Sequence, residues 1–117
     1  MGKLTTHVLD TTRGRPAEGV EIALSRGEGS GYAVVVRTRT NADGRCDAPL
    51  LEGDAMRPGR YRLEFRAGDY FRRQGVAVAE PPFIDIVTLD FGIADRALHY
   101  HVPLLVSPWS YTTYRGS

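Results

Sequence analysis

Hydrophobic and polar side chains alternate with a two-residue period over several short stretches of the chain, as in strands that bury one face. In residues 20–24, Val20, Ile22 and Leu24 share one face, with Glu21 and Ala23 on the other. Tyr61, Leu63 and Phe65 repeat the pattern within residues 60–65. Further strand-like runs cover residues 4–9, 32–40, 83–91, 98–106 and 109–114, with a shorter one at 46–50. Turn signals separate them: Asn41-Ala42-Asp43-Gly44, Arg57-Pro58-Gly59, Pro81-Pro82 and Ser107-Pro108. One stretch reads as a helix, residues 70–74, capped by Asp69 and ended by Gly75. Seven or eight short strands at about 8–12-residue spacing predict a β-sandwich. No linker, repeat or biased tract interrupts the pattern, so residues 1–117 read as a single domain.

Composition narrows the function classes. The 15 basic and 14 acidic residues leave a net charge of +1, too balanced for a nucleic-acid or anionic-membrane surface. A lone cysteine, Cys46, excludes an intrachain disulfide and suits a reducing compartment. No apolar run has the length of a signal peptide or a membrane span, and Arg115-Gly116-Ser117 is not a peroxisomal address. A cytoplasmic location is the expectation.

Three histidines, His7, His99 and His101, carry the candidate chemistry. Histidine is the side chain whose ordinary pKa suits proton transfer near neutral pH. His99 and His101, two apart on an expected strand, should share a face; His7 should share one with Thr5 and Leu9. Spacing alone leaves open ordinary strand histidines, an acid–base pair, or a three-histidine zinc site. Arg45 follows the Asp43-Gly44 turn, either solvated or offering a planar cationic fork to a carbonyl oxygen or an anion. The end of the chain carries Trp109, Tyr111 and Tyr114, aromatic surface that should be covered, in part by another subunit.

The segments His7-Val8-Leu9-Asp10, Thr40-Asn41-Ala42-Asp43-Gly44-Arg45, Gly59-Arg60-Tyr61-Arg62-Leu63 and His99-Tyr100-His101-Val102-Pro103 occur in an order that resembles the transthyretin-like family. The closing Tyr114-Arg115-Gly116-Ser117 is similar to its 5-hydroxyisourate hydrolase branch; the hormone-carrier branch lacks it. The resemblance implies an all-β, eight-stranded transthyretin-like sandwich with one short helix. It implies a homotetramer, a dimer of dimers with active sites at the dimer–dimer interface. It also implies His7, Arg45, His101 and Ser117 as catalytic residues, with Tyr114, Arg115 and Gly116 lining the substrate site and His99 secondary.

The implied reaction is hydrolysis of a cyclic amide in 5-hydroxyisourate. A histidine takes a proton from water, and Arg45 stabilises the oxyanion or the anionic substrate. This needs neither cofactor nor metal. Two other readings stay open: a ligand-binding module without catalysis, and a metal-dependent hydrolase built on His7, His99 and His101.

Overall fold

The computed structural model describes residues 2–116 and forms a sandwich of two sheets. The first sheet contains β1 (Lys3–Asp10), β2 (Arg15–Pro16), β5 (Leu51–Glu52), β8 (Tyr100–Val106) and β9 (Tyr111–Thr113). Its order is β2-β1-β8-β9, and β5 also pairs with β1. The second contains β3 (Glu21–Glu28), β4 (Gly31–Arg39), β6 (Gly59–Arg66) and β7 (Ile86–Ile93), ordered β4-β3-β6-β7. An eight-stranded sandwich was the expectation; the two-residue β2 is an added ninth strand, folded back on the end of β1.

The alternating positions make the core. Leu4 and Val8 of β1 face Ile22, Leu24, Leu63 and Phe65 of the opposite sheet, all at most 3% exposed. Tyr100, Val102, Leu104 and Val106 bury the inner face of β8. Within the first sheet, β1 and β8 run parallel, with Leu4 opposite Tyr100 and Asp10 opposite Val106. The intervening residues, Thr5 and His7 on β1 and His101 on β8, therefore lie together on the outer face.

Several boundaries differ from the sequence reading; the strand expected at residues 20–24, for one, runs on to Glu28. The helix α1 spans Ala67–Arg73, three residues earlier than expected, and has no side-chain cap. Asp69 sits in its first turn, where it accepts from Arg72 Nη1 at 2.7 Å. The early start has a tertiary cause: Gly68 N–H donates to the Asp85 carbonyl at 2.9 Å, and a Cβ there would fall 2.5 Å from Asp85 Oδ1. Buried Tyr70 then donates its hydroxyl to Asp10 Oδ2 at 2.8 Å.

Residues 46–50 are irregular rather than a strand: the segment pairs with β1 at Arg45 and again at Leu51 and Glu52, and leaves it in between. Residues 83–85 are likewise irregular, and Phe83 is 79% exposed. Finally, β8 begins at Tyr100, so His99 lies outside it and is exposed.

Candidate active site

The site is built on the outer face of β1 and β8. Thr5 and His101 are direct partners across the parallel pair, and Thr5 Oγ1 lies 2.8 Å from His101 Nδ1. His7 is one pleat further along β1, opposite Pro103. The His7 and His101 rings have centroids 6.4 Å apart and are tilted by 34°. Both residues are half-buried.

A tight turn delivers the arginine. Asn41 directs it: its carbonyl accepts Gly44 N–H at 2.9 Å, and its side-chain oxygen accepts Asp43 N–H at 2.9 Å and Arg45 N–H at 3.2 Å. Gly44 adopts φ +74°, where side chains with a Cβ are disfavoured. A Cβ would also fall 2.5 Å from the Val8 carbonyl oxygen and 3.2 Å from His7 Cδ2. Glycine thus lets the turn lie against β1, and its own carbonyl accepts Val8 N–H at 2.8 Å. The result is an antiparallel bridge between His7 and Arg45.

The tail closes the other side. Gly116 forms a second bridge with His101: its N–H donates to the His101 carbonyl at 2.7 Å and its carbonyl accepts His101 N–H at 3.3 Å. A Cβ on Gly116 would press on His101 Cβ and Cδ2 at 3.3 Å. Arg115 points elsewhere. Its guanidinium lies 4.4 Å from the ring centroid of inward-facing Tyr100 and donates to the His99 carbonyl at 3.1 Å.

The electrostatics suit proton acceptance. Burial, and then the Arg45 guanidinium, hold His7 below the ordinary histidine range, partly opposed by the Asp43 backbone and carboxylate. Burial, Arg45 and then His7 do the same for His101. Both rings are therefore neutral near pH 7.

The structure brings His7, Arg45, His101 and Gly116 together. His99 offers its carbonyl to Arg115 rather than to any of these four, and Tyr114 and Arg115 line a 410 Å³ cleft between the sheets with Phe91, Tyr100 and Val102. Ser117 lies outside the described residues. A 180 Å³ hollow is lined by Thr5, Arg45, Cys46, Asp47 and Pro49. Thr5 was not singled out in the sequence; a threonine in an alternating strand carries no signal that it meets a histidine 96 residues away. Among the described residues, no three His, Cys, Asp or Glu side chains group as a metal site would require.

A model of the HIUase/Transthyretin family matches residues 4–116. The chain belongs to this family. Among its members, the 5-hydroxyisourate hydrolase of Ralstonia nicotianae is 56% identical to the chain over 117 residues, the full length of both. Of solved structures in this fold, Klebsiella pneumoniae 5-hydroxyisourate hydrolase matches with a TM-score of 0.82 and 38% identity, covering 100% of each chain. An (S)-allantoin synthase matches with a TM-score of 0.94 and 46% identity; the match covers 99% of this chain and 44% of that longer one. The family's transthyretin-like sandwich is thus the fold found here.

Proposed function

We propose that the chain hydrolyses 5-hydroxyisourate to 2-oxo-4-hydroxy-4-carboxy-5-ureidoimidazoline in urate degradation, acting as one domain over residues 1–117. The observation that carries this reading is the convergence of two neutral imidazoles and one guanidinium on the outer face of β1 and β8. Full-length likeness to a 5-hydroxyisourate hydrolase supports the choice of substrate.

Water adds to a ring amide carbonyl while one histidine of the pair takes its proton. The carbonyl oxygen becomes an oxyanion, which Arg45 stabilises by charge and by its planar donor fork. The ring C–N bond then breaks, the nitrogen leaves with a proton, and one water has been added overall. The bridge from Gly116 to His101 supports a role for residues 114–117 in shaping the pocket, Ser117 included by family resemblance. A carrier of small ligands has no use for this combination. The reaction requires no cofactor or metal.

The working unit is a homotetramer, a dimer of dimers, with the His7 and His101 face at the dimer–dimer interface. The place of action is the cytoplasm; no helix among the described residues is long and apolar enough to cross a membrane. Neither nucleic acid nor membrane is a partner. The decisive experiment follows the loss of 5-hydroxyisourate absorbance on adding purified protein. A rate no faster than spontaneous decay would refute the assignment.

A further inference from the structure

The two histidines are held differently, and the difference assigns them different work. At His101, the group against Nδ1 is a hydroxyl, which can donate as well as accept. Thr5 Oγ1 has one hydrogen to place, and among the described residues its hydrogen-bond partner is His101 Nδ1 alone. Donation to a bare Nδ1 satisfies that hydrogen. The opposite arrangement, Nδ1–H donating to Thr5, would leave the hydroxyl hydrogen without an acceptor among the described residues. In a neutral imidazole, the bond made by one nitrogen decides which carries the proton. A bare Nδ1 places the proton on Nε2, the nitrogen free to meet a substrate.

We propose that Thr5 is a positioning residue: its hydroxyl donates to His101 Nδ1 and fixes the ring in the Nε2–H form. His101 is thereby the hydrogen-bond donor of the pair, and the proton of the attacking water falls to His7. This rests on the reading of His7 and His101 as the reacting histidines. Parallel registry aligns the contact, because Thr5 and His101 face each other across β1 and β8. Each neighbour of the His101 ring agrees with a neutral donor. Arg45 and His7 both disfavour a positive charge there, and Gly116 offers only backbone. The Arg115 cation is turned away over Tyr100. An Nε2–H adds a second donor to that of Arg45, whose charge acts on the same ring, for the developing oxyanion.

Two variants and one spectroscopic measurement test this. Thr5→Val keeps the shape and removes the hydroxyl; Thr5→Ser keeps the hydroxyl. In the wild-type protein, nitrogen NMR of the imidazoles at neutral pH should show His101 with a bare Nδ1 and a protonated Nε2. Thr5→Val should mix the two tautomers. It should also raise the His101 pKa read from the same spectra, because a bond that favoured the neutral form is gone. Its kcat should fall about ten-fold with KM little changed, the order of effect of one lost neutral hydrogen bond, and Thr5→Ser should restore it. Protonated Nδ1 in the wild-type spectrum overturns the proposal whatever the kinetics, as does a lowered His101 pKa in Thr5→Val. The NMR result holds even if His101→Ala proves active, which would instead sink the catalytic reading.

Discussion

Arg45 sits across an antiparallel bridge from His7, and its guanidinium depresses the pKa of both His7 and His101. A base must be neutral to act, so activity should be full above the depressed pKa and lost as pH falls through it. The acid limb of kcat/KM should therefore lie below the ordinary histidine value of about 6.5. Arg45→Gln removes the second-largest cause of depression and should move the limb to higher pH, besides lowering the rate. A limb that stays in place in Arg45→Gln would show that the titrating group is elsewhere.

Replacing a general acid or base typically costs about 10²–10⁴ in rate. His7→Ala and His101→Ala should each fall in that range, with far-UV circular dichroism unchanged. His99→Ala should be mild, because that side chain is exposed and only its carbonyl reaches the tail. Exhaustive chelation should leave turnover intact. The guanidinium that disfavours protonation of both rings equally disfavours a metal cation between them, and His101 Nδ1 is already engaged by Thr5. Loss of activity with EDTA and its return with zinc would reverse this reading.

Gly44→Ala should damage both stability and rate. The positive φ costs a residue with a Cβ about 1–2 kcal/mol, and the contact with the Val8 carbonyl adds to it. Chemical denaturation should show a lower midpoint with a similar slope, and turnover should fall as Arg45 shifts away from His7. Wild-type behaviour in both assays would mean that the turn can be rebuilt without its glycine.

Residues 115 and 116 attach the tail to β8 in two ways, by side chain and by backbone. The Gly116 bridge holds His101, while Arg115 stacks on Tyr100. Deleting residues 115–117 should spare the fold, since neither Arg115 nor Gly116 belongs to the core, yet cut turnover strongly. Arg115→Ala should have an intermediate effect, because the backbone bridge remains. A truncated enzyme with full turnover would remove the tail from the site.

Trp109, Tyr111 and Tyr114 are 63%, 44% and 59% exposed, and β9 leaves one edge of its sheet open. Burying apolar surface is worth about 25 cal/mol per Å², so assembly through this region should be stable at micromolar concentration. Sedimentation should give four times the chain mass. An active monomer would refute the shared-interface arrangement.

Much of the fold was legible because its cause is local. Tyr61, Leu63 and Phe65 announce a half-buried strand by alternation alone, and all three are fully buried on β6. The Asp43-Gly44 turn was equally plain, although its contact with His7 was not. What failed depends on distant partners. The helix starts early because Gly68 meets Asp85, and His99 drops out because β8 pairs with β1 only from Tyr100 onward. His7, Arg45 and His101 were legible as candidates by residue type and family resemblance. Thr5 was invisible, because only the parallel register of two distant strands gives it a role.

That parallel pairing also governs when the site comes into being. Thr5 and His101 are 96 residues apart in sequence, and no hairpin can bring them together. Contacts of such long range make folding slow, because loop closure must precede any gain from pairing. A growing chain therefore stays inert until its late strand has docked beside its first, and a product terminated before β8 contains His7 and Arg45 but never His101. Turnover is consequently an all-or-none report on completed folding.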